Sequence, residues 1–583
     1  MISVEEKIEK GIKLLDIGRF TKAKRYFKEL LITHPQNAEI HFQRGVCFYY
    51  QTKNEKALKC FTEARKIDPQ HLKANLARSN VYLKMGEYQL ALEDLNLVLS
   101  KKPKKKDALY NRGICLRGLR KFGSAIRDYT KLIKCGNKTG DIYYNRGICY
   151  FLQDNLKKSF FDFSRAIKLD PKLAQAYYNR GLIHLKTKKP VKALKDFNSA
   201  ILICPDFAKA FYNRGLAWLE NEKYKHAEKD FKKAYQLDPK LLKALYNCGV
   251  CCFFSEKEEQ AVKYFVQVLS VSPKHANSLF NLGLIARSKR DYEKALEWFT
   301  KSIKAQEQEQ EQEKEVEQEQ EQEQGKEKEK DRENEKDNEK EKEQEKDQEK
   351  DKEKEKEKDQ EKDKEKEKEK DKEKEKEKEK EKDKNQEHGK DPKVFKINPT
   401  FYYQRSITYS ALKQFENSLK DYNLLISNQP NNTIFLYNRG VIYSKMNNYE
   451  KAIQDYNSVL SIKKDNVLAL FNRANAYRKL KQFEKAENDY TKVIKLDKKH
   501  SNAFNNRAIV YNYQHKFKKA INDYTQAIAL NPNRIDYYYN RAMAYKTCKK
   551  LKLAKSDLKK VLALNPKHLP ALKNLKEIRH LKK

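Results

Sequence analysis

The stretch "AQAYYNRGLIHL" at 174–185 decides the fold, because its core returns along the chain. "IYYNRG" occurs at 142–147, "AFYNRG" at 210–215, "ALYNRG" at 108–113 and "FLYNRG" at 435–440. Stepping by 34 residues from Gly181 lands on Gly11, Gly45, Ser79, Gly113, Gly147, Gly215, Gly249 and Gly283. After an interruption the step resumes at Ser406, Gly440, Ala474, Ala508 and Ala542. Each landing is a small residue, and a fixed period of this length marks a repeat architecture. We number this position 8, so that one repeat spans 174–207.

Other positions keep the same phase. Position 20 is Ala or Ser throughout, as in Ala193 and Ser159, and position 24 is Phe, Tyr or Leu. Position 32 is Pro in ten repeats, including Pro35, Pro171 and Pro566. Positions 4, 8 and 11 lie on one helical face, and 17, 20, 24 and 27 on another. An antiparallel hairpin brings 4 opposite 24, 8 opposite 20 and 11 opposite 17. Small residues at 8 and 20 then let the backbones approach. Pro at 32 ends the second helix, since it has no N–H to donate. One hairpin cannot bury its own core, so neighbours must stack.

These small residues, the aromatic at 24, the Pro at 32 and the 34-residue period resemble the tetratricopeptide repeat (TPR) family. The resemblance covers about 4–304 and 399–568. It implies an all-α fold: an α-solenoid of about fourteen helical hairpins in two right-handed superhelical arrays. The expected domains are an array of nine repeats at 4–304, a linker at 305–398, an array of five at 399–568 and a capping helix at 569–583.

The linker runs from "EQEQEK" into "EKEKEKDK" with almost no apolar residue, so it has nothing to bury and is expected to be disordered. Residues 306–390 hold 27 basic and 39 acidic side chains, in a chain of 583 residues with net charge +41. The remainder is therefore strongly basic, and its expected partner is acidic: a protein segment or tail, nucleic acid, or the linker itself. No apolar run is long enough to span a membrane. The ten Cys are scattered without a disulfide framework, which points to the cytoplasm, with nuclear or cytoskeletal association left open.

Two polar positions recur. Position 7 is Arg and position 23 Asp in ten repeats, for example Arg180 with Asp196 and Arg439 with Asp455. Repeats with Cys248 and Leu282 at position 7 carry Tyr264 and Trp298 at 23, which suggests an ion pair within each hairpin. Position 6 is Asn111, Asn145, Asn179, Asn213, Asn247, Asn281, Asn438, Asn472, Asn506 and Asn540, with Gln43 and Gln404 in two more repeats. Asn is a poor helix-interior residue, and position 6 points away from the second helix. The exposed position 2 drifts freely, through Asp141, Gln175, Lys209 and Leu468.

In TPR solenoids the first helices line a concave groove, so the resemblance implies a row of amides there. The pattern is similar to the asparagine ladder in the TPR superhelix of O-linked N-acetylglucosamine transferase, which grips peptide backbone; this sequence offers no stretch for that enzyme's catalytic domain. An amide carries both a donor and an acceptor for a peptide unit. Inter-repeat hydrogen bonding is the competing explanation. Tyr110, Tyr144, Tyr178, Tyr212, Tyr246 and Tyr437 at position 5 either flank such contacts or belong to the core.

The carboxylate clamp of chaperone-binding TPR domains fits poorly. Asn80 with Asn111 and Asn475 with Asn506 match it, but Leu76, Asp141, Phe471 and Asp536 do not. "CGVCC" at 248–252 lies within a helix and lacks a second ligand pair at zinc spacing. No phosphate loop or nucleophile motif is present. The sequence thus predicts a non-enzymatic scaffold, without cofactor or metal, that holds extended acidic segments in its groove and assembles complexes. The alternative is a basic RNA-binding solenoid, in which Tyr would stack on bases.

Overall fold

The computed structural model describes residues 3–319, 321–322, 325 and 397–580, and all regular structure among them is helical. The chain divides into two compact units, Met1–Val268 and Leu269–Lys583. The division falls within the second helix of the eighth repeat, Glu258–Val271. Most of the linker, 326–396, lies outside the described residues, as does the disorder expected of it.

Each repeat is a hairpin. In the sixth, Ala174–Lys186 is followed by Pro190–Ile203. First helices are capped where position 34 of the preceding repeat supplies an acceptor. Asn37 Oδ1 accepts from the Ile40 N–H at 3.1 Å, and His71 Nδ1 accepts from Ala74 at 3.1 Å. Such caps satisfy N–H groups that the helix leaves unpaired.

Between the helices, position 15 takes a left-handed conformation. It is glycine at Gly18 and Gly86, with φ of 73° and 82°. In the other twelve repeats it is a residue with a side chain, such as Lys188 (φ 54°) or Asn447 (φ 60°). The turn is closed by Lys188 N–H to Leu185 O and Lys189 N–H to His184 O, both 2.8 Å. Residue type does not mark this position, because Thr, Arg, Asp, Lys, Glu, Asn and His share it with Gly.

The hairpin core differs from the simple antiparallel register. Small position 8 faces the ring at position 24, not only the small residue at 20. A methyl group added to Gly181 would come within 2.7 Å of the Phe197 ring. The same holds for Gly215 over Phe231, at 2.7 Å, and Gly147 over Phe163, at 2.8 Å. The offset arises because long side chains lean toward the N-terminus of their helix. Phe163, Phe197 and Phe231 are fully buried, each a contribution of about 2–3 kcal/mol.

In the second unit, repeat ten packs directly on repeat nine. Phe280 stacks on Phe401 at 4.5 Å, and Leu279, Ile303, Phe401 and Tyr422 share one core. The second helix of repeat nine does not stop at 304, where the sequence places the domain end. It continues over 292–319. Ala305 is buried beside Phe401, and the Tyr402 hydroxyl donates to Glu307 at 2.6 Å. Packing against the tenth repeat explains why residues of linker composition hold a helix there. The last helix, Leu569–His580, buries Ala571, Leu575 and Ile578 against Tyr538 and Leu558.

Replacing Lys188 by glycine should raise stability by up to about 1 kcal/mol, since a left-handed backbone strains any residue with a Cβ. Slower amide exchange in 174–203 is the expected readout; faster exchange would contradict the strain.

Candidate functional site

The letters of "YYNRG" have separate partners. Arg180 donates through Nε and Nη2 to both oxygens of Asp196, at 2.9 and 2.6 Å. The same fork recurs in the ten repeats that carry both residues, from Arg78 with Asp94 to Arg541 with Asp557. The Asp196 hydrogen bond raises the pKa of Arg180, so its charge is held firmly. The third arm was not foreseen. Arg180 Nη1 reaches Ser164 at 3.3 Å, at position 25 of the preceding repeat. Arg214 reaches Asn198 at 2.7 Å, Arg439 reaches Asn423 at 2.8 Å and Arg507 reaches Thr491 at 3.0 Å. One guanidinium thus closes its own hairpin and ties it to its neighbour.

The sequence carries this signal. Position 25 is Ser, Thr or Asn ahead of each of these arginines, but Lys232 and Val266 ahead of Cys248 and Leu282.

The position-6 amides also have neighbours. Asn145, Asn179, Asn213 and Asn247 donate through Nδ2 to the hydroxyls of Tyr110, Tyr144, Tyr178 and Tyr212, at 3.1, 3.4, 3.1 and 3.4 Å. In the second unit Asn438 and Asn472 donate to Tyr403 and Tyr437, at 3.3 and 2.8 Å. Asn179 and Asn213 also bond back to Gln175 O and Lys209 O, both 2.8 Å. The amide is thus held both by its own helix and by the preceding repeat.

Where position 5 lacks a hydroxyl, another asparagine takes its place. Leu76 occupies position 5 ahead of Asn111, which donates to Asn80 at 2.6 Å. Phe471 precedes Asn506, which donates to Asn475 at 2.9 Å. These are the two Asn pairs that match half of a carboxylate clamp; in the structure they bond to each other. Asn540 donates to Asn505, itself at position 5, at 3.1 Å. Asn281 lies half-buried on the first helix of repeat nine.

Position-5 tyrosines belong to both layers. Their rings pack on the position-24 ring, as Tyr178 does on Phe197 at 6.0 Å and Tyr144 on Phe163 at 5.9 Å. Burial raises the pKa of Tyr144, Tyr178 and Tyr212, so each hydroxyl keeps its proton. A neutral hydroxyl that accepts from Asn still has that proton to donate. The Oδ1 atoms of Asn179, Asn213, Asn438 and Asn472 accept no hydrogen bond among the described residues. Asn145 Oδ1 accepts from Arg117 at 2.7 Å. At Asn179, Asn213, Asn438 and Asn472 the row therefore offers an acceptor beside a hydroxyl donor.

The "CGVCC" thiols are core. Cys248, Cys251 and Cys252 are fully buried, and burial pushes the last two up to about 12. Among the described residues, no helix is long and apolar enough to cross a membrane.

Replacing Arg180 by Ala strips buried Asp196 of its guanidinium, with only His184 Nε2 left at 3.8 Å, and should cost about 3 kcal/mol; replacing both by Leu should cost far less. Equal losses in thermal melts would contradict the paired role. A double-mutant cycle of Tyr178→Phe and Asn213→Ala should give a coupling of about 1 kcal/mol. A value near zero would mean that the rung contributes no stability.

Family models match the 34-residue repeat. Tetratricopeptide repeat models match residues 38–71, 76–138, 140–173, 174–207, 208–241, 256–309, 399–432, 434–466, 467–500, 501–534 and 535–568. The chain is 33% identical over 131 residues to DnaJ homolog subfamily C member 7 of Homo sapiens. That match covers 20% of this chain and 26% of the relative, so the chain spans about a quarter of that protein's length. A solved tetratricopeptide repeat protein from Parabacteroides merdae is 24% identical with a TM-score of 0.34, over 42% of this chain and 98% of that one. YrrB, described as a TPR protein with an unusual peptide-binding site, is 22% identical with a TM-score of 0.29, over 32% and 97%. The models that match along most of the chain, on hairpins whose contacts repeat every 34 residues, place it in the tetratricopeptide repeat family.

Proposed function

We propose that this scaffold binds extended, acidic protein segments along the row of position-6 asparagines, and thereby assembles multiprotein complexes. The carrying observation is the fixed amide. Nδ2 of Asn179 and of Asn213 is tied to a tyrosine of the preceding repeat and to its own helix. The orientation of Oδ1 is thereby set before any ligand arrives. Such preorganisation lowers the ordering cost of binding.

The rungs of Asn179, Asn213, Asn438 and Asn472 then each offer an Asn oxygen to a peptide N–H and a Tyr hydroxyl to a peptide C=O. The match is to the backbone, whatever the side chains. Packed helices lie about 8–10 Å apart, and an extended peptide advances about 3.3 Å per residue. One rung therefore meets roughly every third residue. The basic excess outside the linker favours an acidic segment. The reading has no chemical step, and the scaffold acts by holding its partner.

A triple variant, Asn179→Ala, Asn213→Ala and Asn247→Ala, should weaken binding of acidic decapeptides about tenfold or more, read by fluorescence anisotropy with circular dichroism as the fold control. Binding of single-stranded RNA alone, unaffected by these changes, would replace this reading by a nucleic-acid one.

A further inference from the structure

Repeat two departs from its neighbours at the arginine. Ten repeats pair position-7 Arg with Asp at 23, but Arg44 faces Cys60 in that place. Position 25 of the preceding repeat, elsewhere a neutral acceptor for the arginine, is Lys28. The buried Nε of Arg44 has no hydrogen-bond partner among the described residues. An unpaired buried donor of this kind is costly.

Arg44 opens on a recess of about 390 Å³ between the second helix of repeat one and the first helix of repeat two. Its walls carry Lys22, Lys24, Arg25, Lys28 and Phe48, with no acidic side chain. Lys24 Nζ and Arg44 Cζ lie 5.6 and 5.8 Å from the centre of the Phe48 ring, which holds both cations together. Arg25 is loosely paired with exposed Glu29 at 3.8 Å. In the paired repeats the arginine fork holds two oxygens, as Arg180 and Arg214 do at 2.6–2.9 Å. Arg44 carries that fork without its oxygens.

We propose that the recess around Arg44 binds a phosphate monoester on a partner's peptide, with phosphate oxygens on the Arg44 guanidinium beyond its buried Nε and on the lysines around it. A single carboxylate balances one arginine, as Asp196 does for Arg180. Five cations around one recess call for the greater charge and the third oxygen of a phosphate. The recess shares no residue with the asparagine row, so either site can fail while the other stands.

Cys60→Asp restores the carboxylate that ten sister repeats carry, and so should fill the fork from within. The full chain is titrated calorimetrically, at physiological ionic strength, with a phosphoserine hexapeptide, its glutamate counterpart and inorganic phosphate. Phosphopeptide affinity should fall about tenfold or more in Cys60→Asp and in Arg44→Gln, and stay unchanged in the control Lys172→Gln. The glutamate peptide should bind more weakly than the phosphopeptide. Unchanged affinity in Cys60→Asp and Arg44→Gln, or an equal loss in Lys172→Gln, would overturn the proposal, as would preference for the glutamate peptide. Should Cys60→Asp fail to fold, Lys28→Asn, which restores the sister residue at position 25, decides in the same way.

Discussion

Phe197 rests on the backbone of Gly181, where an added methyl would sit at 2.7 Å from the ring. No side chain larger than hydrogen fits without displacement of that ring. This clearance sets the distance between the two helices of the hairpin, and the other contacts inherit their geometry from it. At that distance the position-7 fork closes on the position-23 carboxylate, with Nε and Nη2 each reaching one oxygen. Repeats that carry Ala or Ser at position 8, such as Ala474 against Tyr490, keep a fully buried ring and the same fork. The constraint is therefore on the size of the residue at 8, with some give in the ring.

Two kinds of contact carry this geometry from repeat to repeat. Arginine ties the second helix of one repeat to the first helix of the next, through its third nitrogen. Asparagine ties successive first helices, through tyrosine or a second asparagine. Both are made by side chains already held within their own repeat. An ordered neighbour is thereby met by a group that has little freedom left to lose, which keeps the entropic cost of stacking low. In a repeat array such nearest-neighbour terms decide how far order propagates.

The period, the hairpin and the Arg–Asp pair were legible in the sequence, because each rests on identity at a fixed place. Gly181, Phe197, Arg180 and Asp196 recur in kind and in phase. What escaped rests on equivalence of role. Lys188, Glu222 and His515 share a left-handed backbone with Gly18 although nothing in their side chains says so. Ser164, Asn198 and Thr130 share one task as acceptors for the next arginine, and pattern reading sees three residue types. Inter-repeat hydrogen bonding by Asn179 stood only as an alternative for a further reason: its partner, Tyr144, lies 35 residues back and was itself open between groove and core. The end of repeat nine was misplaced because composition marks a change at 305, whereas the contact of Ala305 with the tenth repeat extends the helix.

Equivalence of role also explains where the pattern breaks. Repeats eight and nine replace the arginine by Cys248 and Leu282, and the acceptors ahead of them become Lys232 and Val266. Donor and acceptor are lost together, so no polar group is stranded in the core. The division of the chain at Val268 and Leu269 falls among these same repeats. Repeat two breaks the pattern differently: Arg44 stays while both its acceptors have gone. Loss of a whole network is neutral to packing, but loss of the acceptors alone leaves a cation to be satisfied. A repeat array that lacks the whole pair in repeats one, eight and nine, and keeps the arginine without its acceptors in repeat two alone, carries Arg44 against its structural cost. Within the hairpin the Phe48 ring meets part of that charge but supplies no oxygen; a ligand in the proposed site would supply oxygens to the guanidinium and offset more of the cost.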